Sequence, residues 1–242
     1  VKLQVFSIPN AYPLFANYKR TPSFPDILGF AAFANRWPRA TWWSPTARVI
    51  GQAHVLEQAV SASSNELVMV ADGRALASTL RDTTSVRAIL SVEGLHVRDG
   101  DLDAIDHMFR AGVHVFGLAH MSDNAVAGSA HGWRKYGLTD FGRRVVARID
   151  SLGGIVDLAH ASGQTIDDVL AMPSVRVMVS HTGVDGTCPG ERNLSDDQLK
   201  RIAGRGGVIG IGFWRGATWG DDVDTGVRAL WHATEVAGPG EI

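Results

Sequence analysis

A single cysteine, Cys188, stands in the 242 residues, so the chain can form no internal disulfide and build no thiolate metal cluster. No apolar run approaches the ~18 residues that a membrane-spanning helix needs. Charge of neither sign dominates. The formal net charge is −2, and no long run of lysine or arginine supplies the electrostatic footprint of a nucleic-acid or anionic-lipid binder. Glycine-rich phosphate loops are also missing: neither GxGxxG nor a Walker-type GxxxxGK follows any strand-like run. No basic leader precedes the apolar opening, so a cytoplasmic location is favoured although the compartment is unknown from composition.

What is present is ordinary globular composition, 45% hydrophobic and 20% charged, which excludes disorder and suits one large α/β domain. The chain is organised around residues 154–181. GIVDLAH (Gly154 to His160) and VRVMVSH (Val175 to His181) are apolar runs of strand length, joined by a short amphipathic segment from Gly163 to Met172. That is the pattern of a βαβ unit with parallel strands, and each strand ends in a histidine. Both imidazoles therefore emerge at the C-terminal edge of one sheet, where parallel α/β folds bind ligands.

The same pattern recurs in both directions. VKLQVFSI (Val1 to Ile8) opens the chain as a strand, and the proline-rich stretch 9–45 with Trp37, Trp42 and Trp43 predicts an irregular excursion. Val49, Ala53, Leu56 and Val60 mark an amphipathic helix, followed by a short run at Leu67 to Val70 and a helix around Leu76 and Leu80. RAILSVEG (Arg87 to Gly94) is a buried strand ending in Glu93; VHVFGLAH (Val113 to His120) is another ending in His120. Gly112 stands at the expected C′ position of a helix over Asp101 to Ala111. Residues from Met121 to Tyr136 predict a loop over the sheet edge, and Thr139 caps a helix that stops at Gly153-Gly154. Thr165 with Asp168, and Ser195 with Gln198, are capping-box pairs. GGVIGIGFW (Gly206 to Trp214) is a last buried strand before a helix through Val223, Val227, Leu230 and Trp231.

About six strands alternate with helices, with no linker and no change of composition, so residues 1–242 read as one domain with a parallel sheet covered by helices. Functional residues spread over several strand ends favour a (β/α)8 TIM barrel over a doubly wound sheet. The barrel is two strands short, and both ends of the chain read as cut, so the domain is expected to be incomplete at its N- and C-terminus. Glu93, His120, His160 and His181 at consecutive strand ends suit a divalent ion such as zinc, because imidazole nitrogen and carboxylate oxygen are its usual ligands where thiolates are absent. One glutamate can bridge two ions and hold a hydroxide between them, which implies metal-assisted hydrolysis.

The stretches SVEG (Ser91 to Gly94), LAHMSDN (Leu118 to Asn124), GLTDFGRRVV (Gly137 to Val146), VDLAHAS (Val156 to Ser162), VSHTG (Val179 to Gly183) and RNLSDDQLKRIA (Arg192 to Ala203) together resemble the membrane (renal) dipeptidase family in its bacterial form. The resemblance implies a zinc-dependent TIM-barrel metallopeptidase, commonly a homodimer, that hydrolyses dipeptides by a metal-bridging hydroxide. It implies that Glu93 bridges two Zn2+ ions, that His160 and His181 bind the second of them, that His120 binds substrate and stabilises the tetrahedral intermediate, and that Arg192 pairs with the dipeptide's free carboxylate. A planar guanidinium matches a carboxylate bidentately. The family's His-x-Asp pair on its first strand, which completes the first zinc site, is not in this chain, nor is its strand-eight aspartate. His54, His96, His107, His114, His131 and His232 lack the context to replace them. Two alternatives stand beside this reading: another amidohydrolase-type barrel acting on N-acyl amino acids or cyclic amides, and a non-catalytic metal-binding fragment of such a barrel.

Overall fold

The computed structural model describes residues 2–70, 72–79, 84–220, 222–240 and 242; Leu80, expected in a helix, lies outside them. The chain begins with β1 (Leu3–Pro9), then α1 (Ile27–Ala34), α2 (Arg39–Trp43), α3 (Pro45–Ala62), β2 (Leu67–Met69), α4 (Gly73–Thr79) and β3 (Val86–Glu93). It continues through α5 (Asp103–Arg110), β4 (Val113–Gly117), α6 (Asp140–Leu152), β5 (Ile155–Asp157), α7 (Gly163–Leu170) and β6 (Val177–Val184). It closes with β7 (Asn193–Leu194), α8 (Asp196–Ala203), β8 (Ile209–Ile211), α9 (Arg215–Thr218) and α10 (Val223–Ala237).

Every strand pairing is parallel. The principal strands run β1-β3-β4-β5-β6-β8, a half-barrel in which β1 lies along β3 from Leu3 against Arg87 to Pro9 against Glu93. The two short strands are additions: β2 pairs with the foot of β3, and β7 with the far end of β6. The sheet has this form because its strands are continuous apolar runs rather than alternating ones, which requires cover on both faces. Val92, Phe116, Val156, Val179 and Ile209, one from each of five strands, sit in a single core cluster.

The helices supply that cover. In α6, Phe141, Val145, Val146 and Ile149 recur at helical spacing and are buried. Thr139 caps the start by accepting from the Gly142 N–H, and Gly153 ends the helix at φ 82°. Burying Val145, Val146 and Ile149 contributes about 2 kcal/mol each. The Ser195 to Gln198 capping box at α8 is complete in both directions.

Residues 9–45 depart from the expected irregular excursion, because α1 and α2 fall there. Two of the prolines, Pro38 and Pro45, start helices instead of breaking them. Pro45 occupies the first turn of α3 behind the Ser44 cap, and Pro38 caps α2, places where a missing N–H costs nothing. The helix α1, ILGFAAFA, has no polar face to give it a period; Asp26 caps it and also meets Arg48 of α3 at 2.7 Å. No helix among the described residues is long and apolar enough to cross a membrane.

Candidate metal centre

Backbone geometry at the strand ends brings the predicted side chains together. Glu93 is the last residue of β3, and the chain turns at once through Gly94 at φ 85°, where a Cβ would lie 2.9 Å from the His120 Cβ. Glycine is therefore required there both for the turn and for the approach of His120. His120 and His160 each follow their strands, β4 and β5, by three residues, whereas His181 lies within β6. His160 holds φ 62°, left-handed for a residue with a Cβ. Asp157, the last residue of β5, accepts from the N–H groups of Ala159 (3.0 Å) and Ser180 (2.9 Å), which ties the turn carrying His160 to the strand carrying His181. Burial raises the pKa of this carboxyl.

Glu93 Oε1 lies 3.1 Å from His160 Nε2, 3.6 Å from His181 Nε2 and 3.7 Å from His120 Nε2. His160 and His181 face one another through their Nε2 atoms at 2.8 Å. One donor atom each from Glu93, His160 and His181 falls within a 4.8 Å cluster. Ligand bonds of ~2.0–2.2 Å in a tetrahedral zinc site separate ligand atoms by roughly 3.3–3.5 Å, and the spacings here bracket that range. The three residues therefore fit one divalent ion.

Arg192, just ahead of β7, is buried, donates through Nη2 to the His181 carbonyl at 2.8 Å and stacks 5.5 Å from the centre of the Trp214 ring. Its Nε is buried without a partner among the described residues. Burial lowers its pKa to about 10, so it is still a cation at neutral pH. The imidazoles are held neutral. Burial first, then the Arg192 charge, lowers His181 to about 4 and His160 well below its ordinary value. Burial also lowers His120, opposed by the Glu93 carboxylate. Neutral imidazoles offer lone pairs, the form in which a cation is bound.

One more buried imidazole lies at the site that its sequence context did not place there. His131 puts Nε2 3.0 Å from His160 Nδ1, while its own Nδ1 lies 2.9 Å from the Tyr18 carbonyl. It comes from the loop after β4, and no strand announces it. Tyr12 packs edge-on against His120 with ring centres 5.6 Å apart, again from a loop.

The buried histidines set a pH dependence. His96 is lowered to about 4 by burial, with His120 as the next cause, and His131 is lowered to about 4 by burial. Between pH 4 and the unfolded value of 6.5, the unfolded chain binds more protons than the folded one, so stability rises with pH through that window. Urea unfolding of the metal-free protein should give a free energy about 4 kcal/mol lower at pH 5 than at pH 7.5, about 2 kcal/mol from each ring, and His96→Gln should remove about half of the difference. Equal stability at the two pH values would contradict the burial of these rings.

Comparison with known proteins finds relatives among the dipeptidases. An uncharacterized dipeptidase of Schizosaccharomyces pombe is 30% identical over 196 residues, 77% of this chain and 47% of that protein. Dipeptidase 3 of Mus musculus is 31% identical over 150 residues, 60% of this chain and 29% of that protein. The chain thus spans about half the length of the first and less of the second. Among solved structures, the dipeptidase AC, a metallo peptidase, superposes with a TM-score of 0.77 at 21% identity, covering 98% of this chain and 68% of that one. A metallo peptidase from Rhodobacter sphaeroides, liganded with a phosphinate mimic of the dipeptide L-Ala-D-Ala, gives 0.76 at 20% identity, covering 98% and 70%. The sequence model of the membrane dipeptidases matches residues 26–242, and the chain belongs to that family, peptidase family M19.

Proposed function

We propose that the chain carries the substrate-facing part of a zinc dipeptidase, in which Glu93, His160 and His181 hold one Zn2+. The observation that carries this reading is the convergence of a carboxylate oxygen and two neutral imidazole nitrogens at 2.8–3.6 Å beside a buried arginine. A zinc ion held there would supply Lewis acidity, lowering the pKa of water and polarising a substrate carbonyl. A second ion would need further ligands beside Glu93, and the His-x-Asp pair that the family resemblance implies for it is not in this chain.

The remaining chemistry belongs to the protein. Arg192, fixed by the His181 carbonyl and Trp214, aims a guanidinium that suits the free carboxylate of a dipeptide. His120, with Nε2 facing Glu93, is placed to donate to the oxyanion that develops at the peptide carbonyl. Tyr12, Tyr18 and Trp214 pack edge-on against His120, His131 and His181 and so help to hold these rings in place.

Elemental analysis and hydrolysis assays test this together. About one zinc per chain from Glu93, His160 and His181, hydrolysis of L-Ala-D-Ala, loss of hydrolysis on chelation and its return with ZnCl2 are expected. Hydrolysis of N-acetyl amino acids without hydrolysis of any free dipeptide would replace the dipeptidase reading with that of another amidohydrolase-type barrel. Absence of bound zinc would leave neither.

A further inference from the structure

We propose that His131 is a positioning residue that fixes which nitrogen of His160 carries the proton and so presents the His160 Nε2 lone pair to the cation. The inference rests on the metal-binding reading of His160. It follows from which partners can donate. The Tyr18 carbonyl only accepts, so at 2.9 Å the Nδ1 of His131 must carry its proton toward that oxygen. A neutral His131 then has a bare Nε2, which faces His160 Nδ1 at 3.0 Å and obliges that nitrogen to be the donor. With its proton on Nδ1, His160 keeps a lone pair on Nε2, the atom turned toward Glu93 and His181. The opposite arrangement would set two lone pairs against each other at the Tyr18 carbonyl, and the His160 Nε2–H, directed at the Glu93 carboxylate 3.1 Å away, would occupy the lone pair that a cation needs.

The other histidine of the pair has no such constraint. His181 Nδ1 meets the Ser180 hydroxyl at 2.9 Å, and a hydroxyl can either donate or accept. His181 can therefore donate from Nε2 to His160 when no cation is present, and shift its proton to Nδ1 when one arrives. His160 cannot make that shift without breaking the bond to His131.

The surroundings of His131 hold it to this task. The ring is 2% exposed and packs edge-on against Tyr18, with ring centres 4.9 Å apart. The backbone N–H of His131 donates to the Ser129 hydroxyl, which donates in turn to the His120 carbonyl. Its own carbonyl accepts from the Thr21 N–H at 2.7 Å, locking the loop that bears Tyr18 to the loop that bears His131. Second-layer partners of this kind orient a ligating imidazole and set its tautomer.

Two measurements test the assignment, using His131→Phe, which fills the ring's space without a nitrogen, and His131→Gln, which returns an acceptor. Long-range 1H–15N spectra of the metal-free protein at pH 7.5 should show His160 protonated at Nδ1 in the wild type and in His131→Gln, with the Nε2-protonated form growing in His131→Phe. Zinc affinity, by competition with a chelator, should fall by about 10–100-fold in His131→Phe and recover to within about threefold of wild type in His131→Gln. Unchanged tautomer and affinity in His131→Phe, in a protein where Glu93→Gln does lose zinc, would overturn the role of His131 and leave the metal site standing. If His131→Phe does not fold, the wild-type spectrum decides: His160 protonated at Nε2 would overturn the proposal without any metal measurement.

Discussion

Replacing Glu93 with glutamine should lower dipeptide turnover by at least about 10³-fold and bring zinc content from about one ion per chain to near zero, with little change in thermal stability when the two proteins are compared metal-free. The carboxylate oxygen Oε1 lies within 4 Å of three imidazole nitrogens, and a neutral amide oxygen is a much weaker ligand for a divalent ion. Each factor of ten corresponds to about 1.4 kcal/mol, so the loss represents about 4 kcal/mol of transition-state stabilisation. Stability should hold because the Glu93 ion-pair partners are those same imidazoles, none of which is charged at neutral pH. Elemental analysis, a thermal melt and a steady-state assay on one preparation suffice. Zinc retained at the wild-type level in an inactive variant would mean that Glu93 works as a base and not as a ligand.

The second large effect should come from Arg192→Leu, expected to lower kcat/KM for a free dipeptide by about 10²-fold to 10³-fold, mostly through KM. That corresponds to losing one partner of a desolvated charge pair, about 2–5 kcal/mol. Arg192→Lys should fall between, because it keeps the charge and loses the planar fork. The informative control is a dipeptide amide. If Arg192 grips the substrate carboxylate, wild type and Arg192→Leu should handle the amide with similar kcat/KM, so the penalty disappears with the carboxylate. A penalty of equal size on both substrates would instead make Arg192 a support for His181, whose carbonyl it holds.

The alternation of strands and helices was legible because each element has a strong period or a buried apolar run: Val113–Gly117 falls inside its expected strand, Val86–Glu93 overlaps the expected Arg87 to Gly94 run almost throughout, and Val177–Val184 overlaps the expected Val175 to His181 run but continues past it. The membrane dipeptidase resemblance was legible in the strand-end motifs, and the family comparison bears it out. Glu93, His120, His160 and His181 come together because strand ends share one sheet edge, a relation the chain order already contains. What escaped depends on tertiary placement. The helix α1 has no polar face, so its sequence carries no helical period, and proline at helix starts looks locally like proline that breaks helices. His131 sits in a loop among small residues, and only the folded position of Tyr18 and of the turn at His160 gives it partners.

The left-handed backbone at His160 sets protein stability and chemistry against each other at a single codon. Holding a residue with a Cβ at φ 62° costs on the order of 1 kcal/mol, a cost that glycine alone escapes, and glycine has no nitrogen to offer. Directed evolution that scored only expression or heat resistance would drift toward glycine at this position and discard the site while improving the protein by its own measure. Selection for turnover pushes the other way, so position 160 is one where a thermostabilised variant and a working one are expected to part company.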